Sequence, residues 1–129
     1  MTRLTEAQRA ELEALRQSYR AELPAKLGLI GGAVDALHGG WEKAHLEALY
    51  DLIHKLTGSA AIYGFGDISR AAGDLETWAL QALDGGVPEA RRLQLTALMR
   101  ALQEAFCASE TLGAGGPGRV RRRGPRASR

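Results

Sequence analysis

The 129 residues of the chain suit a single domain with one hydrophobic core, and 45% of them are hydrophobic. No apolar run is long enough to cross a bilayer, and the first residues lack the apolar segment of a signal peptide, so we expect a cytoplasmic protein with no membrane partner. The net charge of +2 conceals an asymmetry, because residues 113–129 hold six Arg and no acid while residues 1–112 hold 11 basic and 15 acidic side chains.

Ala, Leu, Glu, Gln and Arg dominate the chain, and they favour helices, so an all-α fold is expected. A capping box at Thr5 and Gln8 predicts a first helix that runs to about Glu22. Pro24 cannot donate a backbone hydrogen bond, but it suits the first turn of a helix. We therefore expect a break or kink there, followed by a second helix to about Leu37.

Three more helices are predicted over about 41–62, 67–83 and 88–112, separated by Gly-rich turns. Apolar residues at spacings of three and four mark their inner faces. The predicted core consists of Leu12, Leu15, Tyr19, Leu23, Leu27, Ile30, Val34, Leu37, Leu46, Leu49, Ile53, Leu56, Ala60, Ile68, Ala71, Ala72, Leu75, Trp78, Ala79, Leu93, Leu95, Leu98, Leu102 and Phe106. Short connections imply antiparallel neighbours, so helices two to five form an up-down four-helix bundle with the additional N-terminal helix packed on it, and we expect a monomer.

The third helix carries a candidate nucleophile. At 100° per residue, His54 lies roughly 130° from the centre of the apolar stripe and should face water. A neutral imidazole is a good nucleophile toward a phosphoryl group near pH 7. Hydrogen-bond donors for the phosphorylated product are expected from Lys55, Thr57 and Ser59, although Lys55 and Ser59 point away from His54 on an ideal helix.

The side of the helix that carries His54 has only small residues, Gly58 and Ala61, in the turns that follow it. The residues on this side are Glu47, Tyr50, Asp51, Gly58 and Ala61. A Gly inside a helix costs about 1 kcal/mol relative to Ala, and close approach of another backbone would compensate for Gly58. This side of the helix is therefore the expected docking surface.

The segment 54–66 resembles the signature of the histidine phosphotransfer (HPt) family. His54, Leu56, Gly58 and Ser59 match that signature, as does Gly64 in the turn that ends the helix. Leu-Pro at 23–24 resembles the family's early helix, and the resemblance covers roughly residues 10–108. One position departs from the common pattern, because many members carry Lys three residues after the His, where this chain has Thr57.

The resemblance implies a function for the chain. It implies a phosphorelay intermediate in which His54 accepts a phosphoryl group from, and donates it to, the aspartate of a response-regulator receiver domain. A hybrid or sensor histidine kinase is the second implied partner. We also expect no cofactor of the protein's own, because the implied receiver would supply Mg²⁺.

The same residues allow other interpretations. Glu42 and His45, like Asp51 and His54, have the carboxylate-x-x-His spacing of helical metal sites, but the two His are about 13.5 Å apart along one helix and about 180° around it. No metal site is therefore expected. The chain has no ATP-binding motif, so we expect no kinase activity of its own. The alternative is a non-catalytic helical adaptor with an HPt-like fold, in which His54 is incidental.

The C-terminal segment 113–129 is expected to be a disordered tail, because it has almost nothing to bury. Its six Arg could contact nucleic acid, an anionic membrane or an acidic partner, or they could have no fixed role. The segment has no aromatic residue for base stacking, so no specific nucleic-acid partner is expected.

Overall fold

A computed structural model describes residues 4–115 of the chain, and these residues form four helices. The helices are α1 (Glu6–Gly39), α2 (Lys43–Ile62), α3 (Gly66–Gly85) and α4 (Glu89–Gly115). The described residues include no strand, which confirms the all-α prediction. α2 packs against both α1 and α3, and α3 packs against α4, as an up-down bundle requires. No described helix combines the length and apolar character needed to cross a membrane.

The prediction of an additional N-terminal helix is wrong, because α1 is one continuous helix of 34 residues with Pro24 inside it. Pro24 removes one backbone donor, but its fixed φ is compatible with a helix. Tyr19 and Leu23 before it and Ile30 after it are buried in the same core. Packing on both sides of the proline therefore holds one helix where the local sequence predicts two.

Because Pro24 is exposed inside α1, we expect Pro24→Ala to stabilise the protein. A Pro inside a helix costs about 3 kcal/mol relative to Ala. Replacing it also makes the unfolded chain more flexible, and this opposes the stabilisation by about 1 kcal/mol. The free energy of unfolding, measured by urea denaturation, should rise by about 2 kcal/mol. Pro88→Ala is the control, because Pro88 precedes α4 and should change little. A less stable Pro24→Ala variant would show that the core depends on the geometry that proline gives α1.

The core is built from the inner faces of all four helices, as the spacing of apolar residues predicts. Its fully buried large side chains are Leu23, Ile30, Leu37, Leu49, Ile53, Leu56, Ile68, Leu75, Leu95 and Leu102. Three predicted core residues are instead exposed: Leu12 by 49%, Leu15 by 51% and Leu93 by 67%. Arg16 reaches the carbonyl of Tyr63 at the end of α2, so Leu12, one turn earlier on α1, lies beyond that helix. Leu15 lies at the edge of α2, where it lines a surface cleft with Ser59 and Tyr63. Leu93 is 200° around α4 from the buried Leu95.

The predicted end of the last helix near residue 112 is three residues short, because α4 continues to Gly115. The rest of the segment predicted to be disordered, 116–129, lies outside the described residues.

Candidate functional site

The site is centred on His54, in the middle of α2. The neighbouring Ile53 and Leu56 are buried and fix the orientation of α2 against the core. This orientation turns His54 outward, and 62% of its side chain is exposed, which confirms the predicted exposure. The imidazole is therefore accessible to another protein, while the helix that carries it is held rigidly.

A carboxylate on α3 holds the imidazole. The Nδ1 atom of His54 lies 2.7 Å from Oε2 of Glu76, whose side chain is only 19% exposed. An ionised carboxylate can only accept a hydrogen bond, so Nδ1 carries the proton and Nε2 of the neutral ring keeps the lone pair. The ring of Tyr50 stacks on the imidazole, with 5.5 Å between centroids and 18° between planes. When the ring is neutral, these contacts leave its lone pair on Nε2.

Sequence reasoning missed the role of Glu76, which follows from the register of α2 and α3. His54 and Glu76 are each eleven residues from Phe65, in the turn between the two antiparallel helices. The same register places Gly73 opposite Thr57, and a Cβ atom added to Gly73 would lie 3.9 Å from the Thr57 methyl carbon. Counting outward from the glycine-flanked turn would have placed a carboxylate opposite the histidine.

The three residues predicted to assist the phosphate lie in different surroundings. Lys55 is exposed, about 100° around α2 from His54. The Thr57 hydroxyl donates to the Ile53 carbonyl at 2.9 Å. The Ser59 hydroxyl shares a hydrogen bond of 2.6 Å with the buried Tyr19 of α1.

The contact with Tyr19 gives Ser59 a structural place between α1 and α2. Burial raises the pKa of Tyr19, and the hydrogen bond with Ser59 opposes that rise. The Ser59 hydroxyl is therefore engaged at the interface with α1, and its phosphate-assisting role stays a prediction.

The predicted docking residues surround the imidazole. Glu47, Asp51, Gly58 and Ala61 are exposed, and Tyr50 is half-buried under its stacking contact. A Cβ atom added to Gly58 would meet no atom within 4 Å, so packing inside this chain does not require a glycine there. We call Glu47, Tyr50, Asp51, Gly58 and Ala61, together with His54, the docking face.

Gly64 follows the end of α2 with a φ of 85°, in the left-handed region that favours glycine. This conformation suits its predicted role in the turn that ends the helix.

The other two histidines have local structural contacts. His38 packs edge-on against Trp41, with 5.2 Å between ring centroids. The Nδ1 atom of His45 lies 2.8 Å from the carbonyl oxygen of Gly40, in the turn before α2. Within residues 4–115, no three His, Cys, Asp or Glu side chains come together in a way that could hold a metal ion.

The fold and the site define a class of protein: a four-helix bundle that presents one carboxylate-held imidazole on an exposed helix face. The model of the Hpt domain family matches residues 7–105, so the chain belongs to the Hpt family. No curated protein and no solved structure matches the chain. Membership of the family makes the chain a histidine phosphotransfer protein of two-component phosphorelays, and such domains interact with histidine kinases and response regulators.

Proposed function

We propose that His54 is the phosphorylated residue and that it exchanges the phosphoryl group with the aspartate of a response-regulator receiver domain. The hydrogen bond between His54 and Glu76 carries this proposal, because it leaves an outward-facing nucleophile on Nε2 of an exposed ring. His45 has no equivalent arrangement, since its ring contacts the backbone of its own turn.

The proposed transfer is an in-line displacement at phosphorus. The Nε2 lone pair of His54 forms the N–P bond while the bond between phosphorus and the aspartate oxygen of the receiver breaks. The receiver carboxylate leaves with the electron pair of that bond. The ring becomes a cation with its proton on Nδ1, and Glu76 accepts the hydrogen bond from that proton. In the reverse direction the receiver carboxylate attacks phosphorus and Nε2 leaves.

This chain mainly positions the nucleophile in the proposed reaction. Lys55 is the neighbouring cation on α2 that can approach the phosphoryl group, and Thr57 can contribute only if its hydroxyl leaves the Ile53 carbonyl. We therefore propose that most of the negative charge on the phosphoryl group is neutralised by the receiver and the Mg²⁺ that it binds.

The proposal is tested by incubating the full chain with a phosphorylated receiver domain. We expect phosphate to appear on the chain in a form that acid releases and base does not, and mass spectrometry of peptides should locate it on His54. A receiver that lacks its phosphorylated aspartate is the control. Binding of the receiver without any phosphate transfer would support the adaptor alternative and contradict the proposal.

Gly58→Glu should weaken receiver docking without destabilising the bundle. The new side chain adds bulk and negative charge one turn from His54, so we expect the half-saturating receiver concentration to rise about tenfold, or about 1.4 kcal/mol. The melting temperature should hold or rise, because nothing lies near the new Cβ and Gly is a poor helix residue. Gly32→Glu is the matched control, since Gly32 is an exposed helical glycine on α1 with equally open surroundings. Unchanged docking of Gly58→Glu would show that the receiver does not approach over Gly58.

A further inference from the structure

A second polar site lies at the end of the bundle where the α2–α3 turn meets α1 and α4. It is a cleft of about 150 Å³ lined by Arg16 and Arg20 of α1, Gly64 of the turn, Gly66 at the start of α3, and Ser109 of α4. Gly64 is ten residues beyond His54, or about 15 Å along the axis of α2. The cleft is therefore separate from the docking face, and the proposed phosphotransfer does not use it.

Two guanidinium groups converge on this cleft. Arg16 and Arg20 lie over the ring of Phe65, with their central carbons 4.9 Å and 5.3 Å from its centroid. Arg16 donates from Nε to the Tyr63 carbonyl at 2.8 Å and lies 3.6 Å from the Glu13 carboxylate. None of the ion pairs among the described residues includes Arg20. Like charges four residues apart repel each other on a helix, so an anion between them would be stabilising.

The backbone adds further donors to the cleft. α3 begins at Gly66, and no side chain caps its N-terminus. The first amides of a helix have no partner within it and carry a positive partial charge. Gly66, Asp67 and Ile68 of this first turn line the cleft, and the Asp67 carboxylate pairs with Arg70. The acidic group of this first turn is therefore paired with a cation of its own helix.

Two buried polar atoms at the cleft have no hydrogen-bond partner: Nε of Arg20 and Oγ of Ser109. A buried donor without an acceptor costs about 1–3 kcal/mol. Both residues line the same cleft, so one acceptor group placed there can serve both. This observation is independent of the helix end and of the total charge, and it points to an oxygen-rich ligand.

We propose that the cleft binds a single phosphate-type oxyanion, either free inorganic phosphate or the terminal group of a phosphate monoester. The arginine side chains, the Ser109 hydroxyl and the first amides of α3 offer donors from α1, α4 and the start of α3. The volume of about 150 Å³ admits one such group with little beyond it. A bound oxyanion would tie the α2–α3 turn to α1 and α4.

Titration of the full chain with inorganic phosphate, at constant ionic strength against chloride, tests the proposal. We expect saturable changes in the amide resonances of Gly64, Gly66 and Ile68, with a Kd of about 1 mM, and no such change with chloride alone. Arg20→Met should weaken binding at least about tenfold, since a hydrogen bond to a charged group contributes about 1.5–3 kcal/mol. Arg100→Met removes an exposed arginine of α4 outside the cleft and should bind phosphate as the parent chain does.

Further variants keep the test decisive. Ser109→Ala removes one donor with little risk to folding, and it should weaken binding several-fold even if Arg20→Met fails to fold. His54→Gln should bind phosphate normally, which separates this site from the phosphotransfer site. Tighter binding of glycerol phosphate than of inorganic phosphate would identify a monoester as the ligand, and equal binding would identify the phosphate group alone. Changes that never saturate, or that persist unaltered in Arg20→Met and Ser109→Ala, would overturn the proposal.

Discussion

Replacing His54 by Gln should abolish acceptance of phosphate from a receiver domain while leaving the bundle folded. Gln has a similar size, but its amide nitrogen carries no lone pair able to attack phosphorus. Because 62% of the His54 side chain is exposed, its replacement should alter the free energy of unfolding by no more than about 0.5 kcal/mol. The measurements are transfer from a labelled phosphoreceiver and a thermal melt followed by circular dichroism.

His45→Gln provides the matched control on the same helix. It removes a partly buried imidazole that contacts the Gly40 carbonyl, so it should lower stability by about 1 kcal/mol and leave transfer intact. The two variants therefore have opposite expected effects on chemistry and stability. Phosphate that still appears on His54→Gln, in an acid-labile form, would show that another residue carries the phosphoryl group.

The spacing of apolar residues predicted which faces of the helices are buried, but not how far each neighbour extends. Tyr19 and Leu23 of α1 are buried as expected, whereas Leu12 and Leu15 continue the same stripe and are exposed. The spacing of apolar residues describes one helix by itself. Whether those residues are buried also depends on how far the neighbouring helix extends along it. The interruption expected at Pro24 failed for a related reason, because tertiary packing on both sides of the proline outweighs a local preference.

The candidate site was predictable in part. Rotation around α2 placed His54 outside the core, and the structure agrees. The partner of the imidazole depends on the register of a second helix, so reasoning along α2 alone did not find Glu76. The partner of Ser59 was missed for a similar reason, because only the packing of α1 reveals that its hydroxyl meets Tyr19.

Glu76→Gln should slow phosphotransfer without weakening receiver docking. The carboxylate accepts the hydrogen bond from Nδ1, which fixes the lone pair on Nε2 and stabilises the ring cation that forms with the N–P bond. A neutral amide gives less stabilisation, and its NH₂ group can favour the opposite tautomer. We expect the maximal transfer rate to fall about tenfold, or about 1.4 kcal/mol, at an unchanged half-saturating receiver concentration.

Tautomer measurement distinguishes this positioning role from a general effect of charge. In the parent chain, nitrogen NMR should find the proton of neutral His54 on Nδ1, and in Glu76→Gln the Nε2-protonated form should grow. Asp74→Asn is the control, because it removes an exposed carboxylate from α3 two residues away and should leave both rate and tautomer unaltered. An equal loss of rate in both variants would assign the effect to net charge. An unchanged rate in Glu76→Gln would show that the hydrogen bond to Nδ1 does not support the transfer.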